Sequence, residues 1–329
     1  MANVVSVIVL AGLAVLFIWL ATRALRARRG WVKWPGLVLS GLLGLVFVAV
    51  TALALLGFYR LNTAPYQYQV SNVQVSMEPE RIARGERLAN ICVDCHSSTG
   101  TLPLDGSAED FLKGPGAPPI GTMWATNLTP GGPLKDWTDG EIIRAIREGV
   151  DDQGRPLVIM PSMAMHNLSD EDAEALVAYL RSQPVVDRDL PERDINAVGA
   201  IFLGAGIFPT SAQTPITQPI VAPNPGTPEY GRYLALATGC GDCHGENMDG
   251  VMAPGSFIEG APNLTVAVPD RYTEGSFTAL FRSGVSPEGR SIDPMAMPWK
   301  SYGSAFTDEE LRDIYAFLHS LPRVEAPAK

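Results

Sequence analysis

The four cysteines of this 329-residue chain all lie in two copies of one pattern, Cys-x-x-Cys-His. The cysteines and histidines of the two copies are Cys92, Cys95, His96, Cys240, Cys243 and His244. Two thiols one helical turn apart can both bond the edge of a haem, while the adjacent imidazole reaches its iron. The sequence therefore predicts two covalently bound haem c groups, with His96 and His244 as iron ligands.

The cysteine spacing fits a zinc site or a redox dithiol less well. Two Cys-x-x-Cys pairs that share a zinc ion usually lie about 15–20 residues apart, whereas 148 positions separate Cys92 from Cys240. A thioredoxin-like redox motif needs a βαβ context, which neither flank shows. A chance match is credible once but not twice in one chain.

The two motifs belong to a longer internal repeat. Residues 137–155 match residues 272–290 at a constant offset of 135, and an Asn-Leu-Thr sequence follows each motif. Ser169 and Thr307 each open a capping-box pattern with an acidic residue three positions later. Each repeat is therefore predicted to be helical, with a first helix leading into the cysteines, a middle helix, and a last helix from Ser169 or Thr307.

A haem that only transfers electrons needs a second axial ligand, and His/Met ligation raises its potential. Met160-Pro161 precedes Ser169 by nine residues, and Met297-Pro298 precedes Thr307 by ten. Met160 and Met297 are the predicted iron ligands, because a following proline stiffens the loop that holds the sulfur. The alternatives left open are Met163, Met165, Met295, His166 and His319, of which Met295 is the strict offset-135 counterpart of Met160.

Polar side chains at matched positions in the two repeats are candidates for hydrogen bonds to the haem propionates. They are Asn127, Thr129 and Trp137 in the first repeat and Asn263, Thr265 and Tyr272 in the second. Ordinary loop and helix-cap hydrogen bonding explains the Asn-Leu-Thr sequences equally well.

Two segments near the N-terminus have the length and composition of membrane spans. No charged side chain occurs from Ala2 to Thr22 or from Trp34 to Tyr59, and about 20 apolar residues cross a bilayer. The basic residues between the segments predict a cytoplasmic loop with both outer ends on the periplasmic side. A cleaved signal peptide is the alternative for the first segment, but its positive charge would precede the apolar run, and here it follows.

The soluble part of the chain is strongly acidic. Residues 1–60 hold six of the 25 basic residues and none of the 35 acidic ones, so the remainder carries a formal charge of −16. A phosphate backbone selects a basic face, so nucleic acid is excluded as a partner. The acidity suits either docking to a basic redox protein or solubility alone.

These features predict a mainly α fold in which two tandem cytochrome-type domains follow two transmembrane helices. The predicted parts are a two-helix anchor (1–60), an extended connector (61–78), a first domain (79–186), a proline-rich linker (187–228) and a second domain (229–329). The linker contains an apolar run from Val198 to Phe208 that is too short to span a bilayer. We expect this run to pack between the two domains.

The order of these motifs resembles that of the dihaem class I cytochromes c, especially the cytochrome subunits of membrane-bound alcohol and sugar dehydrogenases. The resemblance covers residues 79–185 and 229–323. It implies His96 and Met160 on one iron, His244 and Met297 on the other, and first and last helices that cross at Gly85 and Gly231. Those subunits commonly carry three haems and a C-terminal anchor, so their partners are not carried over.

The predicted function is electron transfer, with no catalytic residue. A subunit in the inner membrane, with its haems on the periplasmic face, would take electrons from a quinol-oxidising complex or dehydrogenase and give them to a soluble carrier or terminal oxidase of a respiratory or photosynthetic chain. A peroxidase-like dihaem enzyme with one open haem site is the alternative, and two Met-Pro sequences disfavour it. A mainly structural subunit is the third.

Overall fold

The computed structural model describes residues 2–114, 119–251 and 261–324, and it is mainly helical, as predicted. Its α-helices in chain order are α1 (Ala2–Leu25), α2 (Gly30–Asn62), α3 (Pro79–Ala89), α4 (Val93–His96), α5 (Asp139–Glu148), α6 (Ser162–Met165), α7 (Asp170–Ser182), α8 (Ala197–Gly204), α9 (Pro228–Ala237), α10 (Cys240–His244), α11 (Leu264–Arg271), α12 (Glu274–Ser283), α13 (Trp299–Ala305) and α14 (Asp308–Ser320). Short 3₁₀ helices lie at Asn90–Cys92 and Pro133–Asp136.

The chain forms two compact units. The first consists of Met1–Pro65, Asp110–Trp124 and Pro191–Thr210, and the second of Tyr66–Glu109, Ala125–Leu190 and Ser211–Lys329. Strands β1 (Gly121–Thr122) and β2 (Asp194–Ile195) pair antiparallel in the first unit, with Gly121 opposite Ile195.

Helices α1 and α2 pack side by side in the first unit, and both are long and apolar enough to cross a membrane. The rings of Phe17 and Phe47 stack with centroids 5.5 Å apart. Gly44 lets α2 approach α1, because a Cβ there would meet Ile18. Most of the other large side chains of these helices point outward and are exposed.

The apolar run from Val198 to Phe208 does not pack between the haem-motif repeats, and that prediction is wrong. Its helix, α8, packs against the last turns of α2 inside the first unit. The backbones meet closely, because a Cβ on Gly57 would overlap Ala200 and one on Gly204 would overlap Leu53. Small residues on both helices therefore hold α8 on α2.

In the second unit, the first and last helices of each repeat cross at a glycine, as the resemblance implied. A Cβ on Gly85 of α3 would overlap the carbonyl oxygen of Ala175 in α7, and one on Gly231 of α9 would overlap that of Asp313 in α14. Tyr179 lies over the first crossing. Glycine in a helix interior destabilises the helix by about 0.5–1 kcal/mol. The close backbone contact that glycine permits explains why it occurs at both positions.

The helix ends follow the capping patterns of the sequence. Thr307 and Glu310 form the predicted capping box of α14. In α7 the pattern is half formed, because the Ser169 hydroxyl accepts from the Asp172 amide at 3.1 Å but the Asp172 carboxylate bonds other groups. That carboxylate instead accepts hydrogen bonds from Arg84 and Tyr233.

Two hydrophobic clusters form the core of the second unit. The first gathers Leu88, Leu104, Ile142, Leu176 and Leu180, with Cys92, Trp137 and Met160 packed against it. The second gathers Leu234, Phe277, Phe281, Leu311 and Phe317, with Cys240, Tyr272 and Met297 packed against it. Each repeat therefore places its motif cysteine, its aromatic residue and its Met-Pro methionine on one apolar cluster.

Replacing Gly85 by alanine should destabilise the folded chain by about 3 kcal/mol, because overpacking against a rigid backbone costs at the upper end of the usual range. Gly275→Ala is the matched control. Gly275 also lies in a helix, but a Cβ there meets nothing within 4 Å. Denaturant unfolding followed by far-UV circular dichroism measures both variants, and equal losses would contradict the proposed contact.

Candidate functional site

The motif cysteines of both repeats sit on a tight helical turn. Cys92 ends the 3₁₀ helix that continues α3, and Cys95 lies in α4. No disulfide joins any of the four cysteines. Burial, and then neighbouring thiol and carboxyl groups, raises the pKa of Cys92 to about 12. Burial likewise raises the pKa of Cys240 to about 12. Reactive redox thiols have a lowered pKa, so a thioredoxin-like role does not fit.

Each motif histidine has one ring nitrogen fixed by a backbone carbonyl. Nδ1 of His96 lies 2.9 Å from the oxygen of Thr126, and Nδ1 of His244 lies 2.9 Å from the oxygen of Pro262. A carbonyl partner sets the proton on Nδ1 and leaves Nε2 to bind a metal. Burial lowers the pKa of both imidazoles, which favours the neutral form that can act as a ligand.

Sequence reasoning missed Thr126 and Pro262, although the repeat contains a signal for them. Each is the residue immediately before Asn-Leu-Thr, so the carbonyl that holds each histidine occupies the same place in the two repeats. The loops also close alike, with Leu128 N on Leu104 O and Leu264 N on Met248 O, both at 2.8 Å.

The Met-Pro sequences form the same turn in both repeats. Ser162 N donates to Met160 O at 2.8 Å, and Trp299 N donates to Met297 O at 2.7 Å. The central prolines have φ, ψ of −78°, 50° and −76°, 56°, which is the inverse γ-turn. A short helix, α6 or α13, begins directly after each turn. Met297, and not Met295, is therefore the structural counterpart of Met160.

The other candidate ligands differ from Met160 and Met297 in their burial or their contacts. Met163 and Met295 point into solvent, with 63% and 91% of their surface exposed, and Met165 is buried inside the first core cluster. Nδ1 of His166 lies 3.0 Å from the carbonyl oxygen of Arg147. His319 lies in the last turn of α14, with its ring centroid 5.6 Å from that of Tyr315. Met160 and Met297 are each half-buried against their cluster.

The structure places the side chains of the Asn-Leu-Thr sequences in backbone contacts. The Asn127 amide donates to Val186 O at 2.9 Å, and its oxygen accepts from Thr129. The Asn263 amide donates to Val324 O at 2.8 Å, and its oxygen accepts from Thr265. These bonds tie each loop to the segment that follows the last helix, so a propionate contact by these residues stays a prediction.

Trp137 and Tyr272 occupy equivalent places at the start of the middle helix. Both rings are half-buried against their core cluster, and Tyr272 contacts Phe277 edge to face with centroids 6.2 Å apart. Each therefore forms part of an apolar wall close to the motif. Their propionate contacts also stay predictions.

These donor sets fit a haem better than a bare metal ion. Within residues 2–114, 119–251 and 261–324, no group of three or more His, Cys, Asp or Glu side chains could hold a metal. Each repeat instead offers two thiols, one imidazole and one thioether, and the first cysteine and the methionine of each pack against an apolar cluster. The cysteines would form thioether bonds to the haem periphery, and the histidine and methionine would bind its iron.

An ion-pair network joins the two repeats inside the second unit. Nε and Nη2 of Arg84 bind the Asp172 carboxylate at 2.8 and 3.0 Å, and Nη1 binds Glu310. Tyr233 donates to Asp172 at 2.6 Å, and Arg84 Nη2 lies 3.2 Å from the Tyr230 hydroxyl. Burial lowers the pKa of Arg84, but the Asp172 hydrogen bond and both acidic charges outweigh it and raise the pKa above its usual range.

The network relates the repeats by approximate two-fold symmetry. Arg84 and Tyr230 each precede the crossing glycine of a first helix, and Asp172 and Glu310 each occupy the third position of a last helix. Equivalent surfaces therefore face each other, and one arginine binds the acidic residue of both. Sequence reasoning missed Arg84, because the repeat has tyrosine at the matching position.

A second contact joins the repeats beside the first motif. Ser301 in α13 donates to Asp94, which lies between Cys92 and Cys95, at 2.8 Å. Helix α13 packs against α3 and the 3₁₀ helix before the first motif, and α6 packs against α9 before the second. The helix after each Met-Pro turn thus contacts the helix that leads into the other repeat's cysteines.

The family model for cytochrome c matches residues 82–184 and 228–322, and the chain belongs to the cytochrome c family. Membership implies covalently bound haem c, the group that the motif geometry fits. The two matched regions contain the two Cys-x-x-Cys-His motifs.

Three curated relatives illustrate the similarity. The chain is 29% identical over 263 residues to a fructose dehydrogenase cytochrome subunit from Gluconobacter japonicus, covering 73% of this chain and 52% of that one. It is 33% identical over 175 residues to a gluconate 2-dehydrogenase cytochrome c subunit from Pantoea cypripedii, covering 50% and 37%. It is 26% identical over 280 residues to a diheme cytochrome c-type protein from Cereibacter sphaeroides, covering 76% and 92%. The chain thus spans about half or less of the two dehydrogenase subunits that it matches.

Arg84→Ala should destabilise the second unit by about 3 kcal/mol, because it removes the cation that two largely buried carboxylates share and leaves only Arg87, 3.9 Å from Glu310. Arg312→Ala is the matched control, since Arg312 pairs with Glu274 and Glu309 on the exposed surface, where an ion pair contributes at most about 1 kcal/mol. Denaturant unfolding at neutral pH measures both. A loss for Arg84→Ala no larger than that for Arg312→Ala would show that the network does not hold the repeats together.

Proposed function

We propose that the chain is a membrane-anchored dihaem cytochrome c subunit that transfers electrons between redox proteins. The observation that carries the proposal is the matched set of donors in the two repeats. Both have paired cysteines, a histidine whose Nδ1 is fixed by a carbonyl, and a methionine on an inverse γ-turn.

Each haem is held by one repeat. Thioether bonds to Cys92 and Cys95 would hold the first, with His96 and Met160 as axial ligands. The second would be held by Cys240, Cys243, His244 and Met297. When bound, haem c supplies a reversible one-electron couple whose potential His/Met ligation raises. The fixed tautomer of each histidine and the stiff Met-Pro turn keep the donors in place, so little rearrangement is needed when the charge of the site changes.

The half-burial of both Met-Pro methionines favours electron transfer over the peroxidase-like alternative. An enzyme that reduces a peroxide needs an open axial position, and both repeats offer a thioether on the apolar cluster beside the motif. The same feature disfavours a mainly structural subunit.

Helices α1 and α2 serve as the membrane anchor in this proposal. The basic residues of the turn between them favour a cytoplasmic loop. The segment after the first repeat is hydrogen-bonded to the outer ends of both helices: the Asn3 side chain of α1 donates to Ile195 O at 3.1 Å, and the Arg193 side chain donates to Leu61 O in α2 at 3.1 Å. Both ends then lie on the periplasmic face of the inner membrane.

The partners are redox proteins in or at the same membrane. The names of two relatives point to a dehydrogenase as electron donor, and a quinol-oxidising complex is the other source that the chemistry allows. A soluble carrier or terminal oxidase would accept the electrons. The formal charge of −16 outside residues 1–60 favours a basic carrier.

Intact mass of the purified chain should show two haems, and denaturing gels should retain the haem stain. Replacing both Cys92 and Cys95 by serine should leave one haem, because each motif binds its own. The matched pair of changes at Cys240 and Cys243 should leave the other. Loss of all haem on extraction with acidified acetone would refute covalent attachment.

Met160→Ala and Met297→Ala should each remove about half of the sulfur-to-iron charge-transfer absorption, since each sulfur would bind one of two irons. Met163→Ala and Met295→Ala are matched controls on exposed methionines two or three residues from the proposed ligands, and they should leave the band intact. If a control variant loses the band instead, the ligand assignment is wrong.

Electron transfer to a basic soluble cytochrome c should slow steeply as ionic strength rises. Attraction between an acidic face and a basic partner accelerates encounter, and salt screens it over roughly 8 Å at physiological strength. Stopped-flow rates across a salt series measure the effect. A flat profile would indicate that the acidic surface serves solubility, or that electrons pass only within a permanent complex.

A further inference from the structure

Helix α8 has no polar side chain on any face. Its sequence is Ala-Val-Gly-Ala-Ile-Phe-Leu-Gly, and the chain continues through Ala205, Gly206 and Ile207 to Phe208 without a polar residue. A helix on the surface of a water-soluble protein carries polar residues on its outer side. A helix that is apolar all round is either enclosed by protein or in contact with lipid.

The arrangement of large and small residues on α8 distinguishes these cases. The small residues Ala200 and Gly204 contact α2, while Gly199 lies against Ile120 and Ile195. These three residues and Leu203 are the buried ones of the helix. Val198 and, just beyond the helix, Ile207 are 41% and 50% exposed. Small residues at the helix contact with larger apolar ones outside is the pattern of membrane helices, because lipid supplies no hydrophobic force that would turn large side chains inward.

The position of α8 along α2 sets its depth. The charge-free stretch of α2 from Trp34 to Tyr59 has 26 residues, or about 39 Å at 1.5 Å per residue. The hydrocarbon core takes roughly 30 Å, and with the headgroups about 40–45 Å. Close contacts to α8 are at Leu53 and Gly57, in the outer third of the stretch. At about 12 Å in length, α8 is far too short to cross the membrane.

The backbone groups at both ends of α8 have side-chain hydrogen-bond partners. Arg60 donates to the carbonyl oxygens of Leu203 at 2.7 Å and Gly204 at 3.2 Å. At the other end, the Asn196 side chain accepts from the amides of Val198 and Gly199 at 2.9 and 3.2 Å. Backbone groups in lipid must be satisfied internally, and these bonds meet that need at both ends.

We propose that α8 lies in the outer leaflet, at the boundary between hydrocarbon and headgroups, with Val198 and Ile207 in contact with lipid. The segment between the two repeats is then a third membrane contact beside α1 and α2. Helix α8 packs against the part of α2 that itself exposes Leu55 and Leu56, which favours lipid over a protein partner as the occupant. The inference rests on the membrane anchoring proposed above.

Spin labelling of the full-length holoprotein tests the inference. With the four native cysteines bound to haem, a new cysteine is the only free thiol. Val198→Cys is the test site, and Ile207→Cys is a second site should the first variant fold poorly. Val46→Cys in α2 and Val221→Cys in the second unit are controls on exposed valines. The labelled protein is placed in phosphatidylcholine nanodiscs, and power-saturation spectroscopy compares collisions with oxygen and with a water-soluble nickel chelate.

We expect the label at position 198 to collide more with oxygen than with the nickel chelate, as at position 46, and the ratio to reverse at position 221. A water-accessible label at 198 and 207 with a lipid-exposed label at 46 would overturn the inference and leave the anchor intact. A label shielded from both reagents at 198 would show a protein partner and would also overturn it. A water-accessible label at 46 would instead refute the proposed anchoring.

Discussion

The close crossing of the first and last helices is the contact on which the rest of each repeat depends. At Gly85 and Gly231 the backbones meet with no side chain between them. A hydrophobic cluster can then form on one side of the crossing, with the motif cysteine at its edge. Any larger residue at these positions would separate the helices and open the cluster that must pack against a haem.

Much of this architecture could be predicted because the chain repeats itself. A single Cys-x-x-Cys-His motif is a weak guide to fold, but two copies followed by Asn-Leu-Thr, a capped middle helix and a capped last helix indicate one helical unit used twice. The capping residues locate the helix starts because their side chains can replace missing backbone partners. Capping interactions join residues that are close in the sequence, so a single sequence is enough to predict them.

Contacts between residues that are distant in the sequence could not be predicted from the repeat. The strict repeat offset pairs Met160 with Met295, and the mistake is built into the alignment, since the second repeat has two extra residues between Ile292 and Met297. The Met-Pro dipeptide and its distance to the last helix favour Met297 instead, and the turn shared with Met160 supports that choice. The packing of α8 was mispredicted for a related reason: an apolar run shows that a segment is buried or in lipid, but not against what.

At the interface between the two repeats, matching positions carry different residues. Tyr230 in the second repeat corresponds to Arg84 in the first. In the short helix after the Met-Pro turn, Ala164 of the first repeat corresponds to Ser301 of the second. An arginine on both sides would put two cations against two carboxylates. One arginine shared by Asp172 and Glu310, with tyrosine hydroxyls around it, satisfies the same groups with less buried charge.

Because Ser301 also binds Asp94 within the first motif, the contacts that join the repeats come from the segments that hold the proposed haem-binding residues. In the proposed dihaem protein, the folded unit itself would fix the distance between the two haems, and a partner docked at one repeat would have a route for electrons to both.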